Sequence, residues 1–576
     1  MRHRLRASTP HTPAPRFRQH STPPRTVHTM LDLTIDGLSD PGWADTGIKL
    51  PQFDVKEMVK KTKAAARWMH FAPSNLFTGE IAPRAQQLLD MGLMETGIVG
   101  VETWDEEIVS KVMKPHDNLR VRVVMPPDEA DRSIDILASL ADTLAAADDW
   151  EAVLAYFAQP SLQMVTVTCT EKGYGIDNPG AEADAEAGPE QPSHIMAIAA
   201  AGAWHRFQNG AAPLAFVSMD NCAENGKLFQ GAVMSIAERW AAAGKVSQEF
   251  MAYMNDTSKI TFPWTMIDRI TPRPDDGTVA MLNGLGVGGM DVVQTTKGTF
   301  IAPFSNTEHI SYLAVQDAFP NGRPPLEETG VLFAPDTEGV AAYEAMKVGT
   351  CLNPLHTTLA VFGCLLGHTS ISEEMADAEL SGFLRAQSAE ALPKAVRPAG
   401  IEPEDFLRIC LTERFPNPNV PDTPQRIATD TSQKMDVRYG GTMQAYGDGA
   451  SSLTFIPLAV AGWLRYLAGA ATVADGIGDD GHAMELSDDG PFFDTPSAVA
   501  AAASLTVGSP EAVTTEAVKT LLDFGFKRPG SQIQLDLYEM GVGDKIEGLL
   551  REFLAGPGAV RTTLRKYLAE NGSPKL

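Results

Sequence analysis

Trp68-Met-His-Phe-Ala72-Pro73-Ser74-Asn75-Leu76-Phe-Thr78-Gly79-Glu-Ile-Ala-Pro-Arg-Ala-Gln-Gln-Leu-Leu-Asp-Met91 is the stretch whose reading decides the fold. Residues 68–72 are an apolar run of strand length, and 78–91 carry apolar residues at helical spacing. The Pro and Ser between them mark a turn. Outward from this unit the alternation continues. Residues 98–101, 119–125, 162–170 and 214–219 read as strands. Residues 105–112, a long Ala/Leu/Asp stretch 130–157, and 227–243 read as helices. Strands alternating with amphipathic helices predict a parallel, doubly wound sheet. The Ala-, Glu-, Gly- and Pro-rich segment 178–193 reads as a solvated loop. From about residue 337 the strand signals fade. Helical periodicity takes over at 337–347, 354–366, 372–387, 403–413 and 453–467. The expected fold is an α/β N-terminal domain followed by an all-α C-terminal domain, with residues 30–336 in the first and 337–576 in the second.

Residues 1–29 hold six arginines and no acid. They read as a disordered tail, or as sequence upstream of a start at Met30. The whole chain is acidic, with 47 basic and 73 acidic residues and a net charge of -26. Such a field disfavours nucleic acid and anionic membrane as partners. The apolar stretch 453–471 contains Arg465 and reads as a buried helix rather than a membrane span. Five cysteines without a CxxC pair argue against a disulfide framework or a thiolate zinc site, and twelve histidines show no metal-ligand spacing. No metal is expected, and a reducing cytoplasm fits. Gly284-Leu-Gly286-Val-Gly288-Gly289 and Gly476-Ile-Gly478-Asp-Asp-Gly481 both match GxGxxG. The first precedes a strand-like run instead of a helix, and the second carries two carboxylates, so both read as turns.

The chemistry gathers in Glu344-Ala-Met-Lys347-Val-Gly349-Thr-Cys-Leu-Asn353-Pro354-Leu-His356. Gly349 suits the end of one helix and Pro354 the first turn of the next. That break places Asn353 at an N-cap with His356 one turn in, and it delivers Lys347 to the junction. Oxidation of a secondary alcohol by hydride transfer needs a base for the hydroxyl proton, donors for the developing carbonyl oxygen, and a hydride acceptor. Lysine and asparagine at one junction fit the first two. Taken by spacing alone, the same residues also read as a helix cap, a core histidine and a surface lysine.

Further motifs carry a resemblance. They are Thr170-Glu171-Lys172-Gly173-Tyr174, Ser218-Met-Asp220-Asn221-Cys-Ala-Glu-Asn225-Gly226, Phe262-Pro-Trp-Thr-Met-Ile-Asp268-Arg269, the Lys347–His356 stretch, and Arg414-Phe-Pro-Asn417-Pro418 running on to Arg426 and Lys434. Together they resemble the mannitol dehydrogenase family of long-chain polyol dehydrogenases, closest to its fructuronate reductase branch, from about Gly47 to Gly543. The resemblance implies a Rossmann-like, NAD-binding N-terminal domain, a helical domain for substrate and catalysis, and no metal. It places the catalytic lysine at Lys347, amide donors at Asn221 and Asn353, the active-site histidine at His356, and a proton-relay glutamate at Glu344. Asp268, Arg426 and Lys434 fall on substrate-pocket positions. The two cations, eight residues apart, would share one helix face and meet a sugar-acid carboxylate.

The turn after the first strand supplies Ala72, Ser74, Asn75 and Leu76 to the dinucleotide, with Glu102 on the ribose and Glu171 nearby. A carboxylate at Glu102 favours NAD over NADP. Two departures stand out. Five residues separate Lys347 from Asn353 where many members have four, and Ala72 and Ser74 replace glycines. The expected activity interconverts a sugar acid such as D-mannonate with a keto-uronate such as D-fructuronate, or a related polyol with its ketose. The expected protein is a monomer or small homo-oligomer. Two other classes remain: an isomerase with tightly held NAD, and a redox-silent binding homologue.

Overall fold

The computed structural model of the chain describes residues 30–487 and 490–572, so the reading of residues 1–29 falls outside the described residues. Six parallel strands form the central sheet: β1 (Trp68–Phe71), β2 (Ile98–Glu102), β3 (Leu140–Ala145), β4 (Met164–Val167), β5 (Leu214–Ser218) and β6 (Ile260–Thr261). Their spatial order is 3-2-1-4-5-6. This is the doubly wound order, in which the winding reverses between β1 and β4 and leaves a crevice at their carboxyl ends. Every residue of β1, β2, β4 and β5 is buried. Helices cover both faces, which is why these strands read as unbroken apolar runs. Met69 and Phe71 join the core beneath helices Ile195–Gln208 and Asn225–Ala242, while Trp68 and Ile98 join the core under helix Ala82–Asp90.

Three expectations need correction. Residues 130–157 are not one helix: strand Ser133–Leu137, β3 and helix Trp150–Phe157 share them. Their Ala/Leu content fits a helical period, but pairing with Arg120–Met125 and with β2 decides the conformation. Strand Arg120–Met125 exists but lies outside the main sheet, between Ser133–Leu137 and Phe304–Glu308. Segment 178–193 is not a plain solvated loop. It contains helix Pro179–Ala187, capped by the Asn178 side chain, with Ala181, Asp184 and Ala185 buried.

Strand Thr265–Asp268 pairs antiparallel with Tyr312–Gln316, which pairs parallel with Leu332–Ala334. Beyond Ala334 the chain is helical apart from the small hairpin Gly476–Ile477/Ala483–Met484 among the described residues. Gly478 and Gly481 lie in that hairpin's turn, with Gly476 in its first strand, and Gly286 and Gly289 adopt left-handed φ of 89° and 72°, as turn glycines do. Helix Phe455–Leu467 is buried along its whole length at the centre of the helical core. The helical run Thr337–Leu366 has the length and apolar content of a membrane span, but 78% of its apolar 18-residue window is buried inside the protein.

Candidate active site

Helix Thr337–Met346 ends where a π-helical turn, Lys347–Cys351, begins, and helix Asn353–Leu366 follows. A π turn takes up one more residue than an α turn. The extra residue between Lys347 and Asn353 is absorbed there without unravelling the junction. Leu352 is the N-cap and Asn353 the first helical residue, one position later than the spacing predicts. Lys347 Nζ donates to the Ile267 carbonyl at 3.1 Å and lies 3.0 Å from Asp268 Oδ1. The lysine is thus pinned to the end of strand Thr265–Asp268. Glu344 sits one turn earlier. Burial raises its carboxyl above the ordinary range, while Lys347 and the Glu224 amide draw it back down.

Asp268 is itself clamped. Arg414 donates to its two oxygens at 2.6 and 2.9 Å and to Glu308 Oε1 at 2.7 Å, all three side chains being buried. Burial alone would raise the Asp268 carboxyl, but the charges of Arg414 and Lys347 hold it well below the usual range. Glu308 is pushed up by burial against the pull of Arg414. Asp268, expected to meet substrate, also holds Lys347 in place. Arg414 and Glu308 carried no assigned role in the sequence. Arg414 was visible only as the first residue of a motif, and its partners lie 146 and 106 residues away.

Asn221 projects from the loop between β5 and helix Asn225–Ala242. The loop is fixed from beneath. Asp220 Oδ2 accepts from Tyr174 Oη at 2.5 Å and Ser218 Oγ at 2.9 Å, and Oδ1 accepts from the Cys222 amide at 3.1 Å. Asn225 bridges the loop to Thr265, donating from Nδ2 to Thr265 Oγ1 at 2.9 Å and accepting from its amide at 3.0 Å. The Asn221 side chain is exposed, and that of Asn353 is half-buried. Among the described residues none hydrogen-bonds either amide, so both have donors to spare.

His356 stands between Phe415, 5.2 Å away ring to ring, and Asp422, whose Oδ2 is 3.6 Å from Nε2. Burial drives the imidazole down to about 4, with Asp422 pulling up and Arg414, Arg426 and Arg438 pushing further down. It is neutral at neutral pH. Arg426 donates Nε to Asp422 Oδ1 at 2.7 Å and Nη2 to Oδ2 at 2.6 Å. Lys434 Nζ donates to the Thr429 carbonyl at 2.5 Å. The expected common face is corrected: helix Pro424–Ala428 stops before Asp430, whose φ of 52° turns the chain, and a 3-10 turn carries it to Lys434.

At the β1–β4 crevice, Ala72 adopts a left-handed φ of 58°, a conformation that favours glycine. Thr168 Oγ1 donates to the Ala72 carbonyl at 2.9 Å, tying the turn after β1 to the end of β4. Helical backbone begins at Asn75, and its first-turn amides have no acceptor within the helix. Asn75 Oδ1 is buried with no hydrogen-bond partner. Ser74 and Leu76 flank it in the same turn, and Glu171 is exposed at the start of the short helix Glu171–Tyr174, beyond β4. Glu102 ends β2 and is buried. Its Oε1 accepts from the amides of Thr103, Trp104 and Asp105 at 2.9–3.1 Å, which fixes the carboxylate's direction. Unpaired helix amides beside a fixed carboxylate at a doubly wound switch point suit a pyrophosphate and a ribose.

Comparison with known proteins bears on the same two regions. The model of the mannitol dehydrogenase Rossmann domain matches residues 70–328, and that of the mannitol dehydrogenase C-terminal domain matches residues 339–505. A D-mannonate oxidoreductase of Thermotoga maritima is 40% identical over 540 residues, covering 91% of this chain and 97% of that protein. A mannitol 2-dehydrogenase of Phaeosphaeria nodorum is 30% identical over 63% of this chain and 60% of its own length. A substrate-free D-sorbitol dehydrogenase structure superposes with a TM-score of 0.74 at 23% identity, over 90% of this chain and 97% of that one. The Pseudomonas fluorescens mannitol 2-dehydrogenase ternary complex with NAD and D-mannitol superposes with a TM-score of 0.64 at 21% identity, over 91% and 97%. These two likenesses speak for the fold.

Proposed function

The chain belongs to the mannitol dehydrogenase family, and from that premise we propose that it is a metal-independent, NAD-dependent oxidoreductase interconverting a sugar acid and its keto-uronate, D-mannonate and D-fructuronate being the leading pair. Residues 30–336 would bind the nucleotide and 337–576 would supply most of the substrate site. The observation that carries the reading is Lys347, held by Ile267 and Asp268 at the junction of the two. The sugar acid is favoured over a plain polyol by the likeness to a D-mannonate oxidoreductase along 97% of that protein.

The crevice residues fit NAD. The first-turn amides at Asn75 and Leu76 would meet its pyrophosphate, with Ala72 and Ser74 forming the approach, and Glu102 would meet a ribose hydroxyl, with Glu171 close by. NAD supplies the hydride acceptor. In the oxidising direction Lys347 takes the proton of the reacting hydroxyl as general base. The amides of Asn221 and Asn353 donate to the same oxygen as it becomes a carbonyl, and their free hydrogens cost no broken protein contacts to use. Glu344, one turn from Lys347, passes the proton outward. Neutral His356 orients a neighbouring hydroxyl. An acidic chain with no thiol pair suits a reducing cytoplasm, where it would act as a monomer or small homo-oligomer.

The test is a panel of aldonates, uronates and polyols with NAD and with NADP, read as absorbance of the reduced nucleotide. Turnover of mannonate with NAD is the expected result. No reduced nucleotide from any member of the panel would overturn the oxidoreductase reading.

A further inference from the structure

The acidic chain pairs its buried arginines thoroughly. Arg414 holds Asp268 and Glu308, and even the exposed Arg426 holds Asp422. Arg206 spends its guanidinium on five backbone carbonyls, and Arg465 donates to two. Arg438 is the exception beside the site. Among the described residues no carboxylate lies within ion-pair reach of it, and its Nε is buried without an acceptor. Asp436, the acid nearest along the chain, is turned to Arg528 at 3.3 Å. Nη1 and Nη2 of Arg438 donate to no partner among the described residues either, yet they are not sealed in, so the end of the guanidinium reaches open space. Arg120 also pairs with no carboxylate among the described residues, but it is 1% exposed and its Nη2 is sealed.

The segment that carries Arg438 is fastened to the catalytic junction. It is a π turn, Asp436–Gly440. Tyr439 Oη donates to the Pro354 carbonyl at 3.1 Å and shares a hydrogen with Thr358 Oγ1 at 2.9 Å, so it grips the helix that begins with Asn353. Thr442 Oγ1 donates to the Gly349 carbonyl at 3.1 Å, gripping the turn that begins with Lys347. The charge of Arg438 acts on His356. A buried cation without an anion costs several kcal/mol of solvation. A fold that tolerates that cost next to its reacting groups has reserved the position for an anion that arrives from outside.

We propose that Arg438 is the anchor for the substrate's carboxylate, binding it through Nη1 and Nη2 and so selecting a sugar acid over the matching neutral polyol. This deepens the sugar-acid reading and rests on it. It also reassigns the role that the sequence offers to Arg426 and Lys434, whose own contacts are already made. A bidentate guanidinium–carboxylate pair fixes orientation as well as charge, and would set the reacting hydroxyl, at the far end of the sugar chain from the carboxylate, at a defined distance from Lys347.

The experiment compares wild type, Arg438→Met and Arg438→Lys. Calorimetry and thermal unfolding are run with D-mannonate and with D-mannitol, and kcat/KM is measured on both. Arg438→Met is expected to lose about 10²-fold or more in kcat/KM on the acid, the scale of a lost buried charge partner, and less than a tenth of that on the polyol. The mannonate-induced rise in Tm should vanish, and Arg438→Lys should restore part of the affinity. Without ligand the Met variant should melt no lower than wild type, because an unpaired buried charge has been removed. A lowered ligand-free Tm, or equal losses on acid and polyol, would make Arg438 a structural residue and overturn the proposal. Wild type that binds mannonate in calorimetry but reduces no nucleotide would instead sink the oxidoreductase reading and leave Arg438 standing as an anion site.

Discussion

Replacing Arg414 with Met would strand two buried carboxylates at the heart of the site, and the consequence is calculable. Arg414 makes two short bonds to Asp268 and one to Glu308, with all three groups inside the protein. Removing one partner of such a buried ionic cluster costs about 3–5 kcal/mol. At about 2–4 °C per kcal/mol for a domain of this size, the Tm should fall by roughly 6–20 °C. The loss should depend on pH in a definite sense. Burial already pushes Glu308 up, and Arg414 is the main charge holding it down. Without Arg414 its folded-state pKa rises further above the unfolded value near 4.5, so the folded variant binds more protons than the unfolded chain. Its stability is then best below that unfolded value and falls as pH rises through the raised one. The deficit relative to wild type should accordingly stay flat from about pH 5 to about pH 7, where Glu308 is protonated in both folded proteins, and grow from about pH 7 to about pH 9, where it ionises in folded wild type but not in the folded variant. Thermal unfolding by circular dichroism across that range, with urea midpoints as a second readout, measures it. A Tm within about 2 °C of wild type at pH 8, or a deficit that does not change with pH, would refute the account of Arg414 as the counter-charge.

Other outcomes follow from the same geometry. Lys347→Ala should cut kcat by about 10²–10⁴-fold with NAD binding retained; a loss under tenfold would remove Lys347 from the base role. Glu102 should give a clear preference for NAD over NADP, and Glu102→Gln should erode it, measured as the ratio of kcat/KM for the two nucleotides; equal efficiency in wild type would mean that Glu102 does not face the ribose. Arg426→Ala removes one of the cations that depress His356 and leaves Asp422 without its guanidinium. The imidazole, held at about 4, should then protonate at higher pH, and the acidic limb of the kcat/KM profile should move upward by a measurable fraction of a pH unit or more. An unmoved limb would separate His356 from the Asp422–Arg426 pair.

Much of the fold was legible because the signals were local. The strand–turn–helix at 68–91 and the fully apolar runs at 98–101 and 214–219 follow from burial on both faces, which leaves no polar alternation to confuse the reading. The break between Lys347 and His356 was legible from Gly349 and Pro354, although not as a π turn, because hydrogen-bond register has no composition of its own. Residues 130–157 were misread for the opposite reason. Their conformation is set by strands Arg120–Met125 and β2, and no residue within the stretch announces those partners.

The sequence by itself determined the periodicities, the turns, the acidic field and the residue types at the junction, since each depends on neighbours a few positions apart. The tertiary structure alone decided which charges are spent and which are free. Asp268 reads as a substrate residue, and only the fold brings Arg414 from 146 positions away to hold it against Lys347. Arg426 reads as a free cation until Asp422 closes on it. Arg438 carries no mark in the sequence, because what distinguishes it is that no carboxylate among the described residues pairs with its half-buried guanidinium. Coulomb and solvation energies are set by distance and burial in space, and only the folded chain fixes either one.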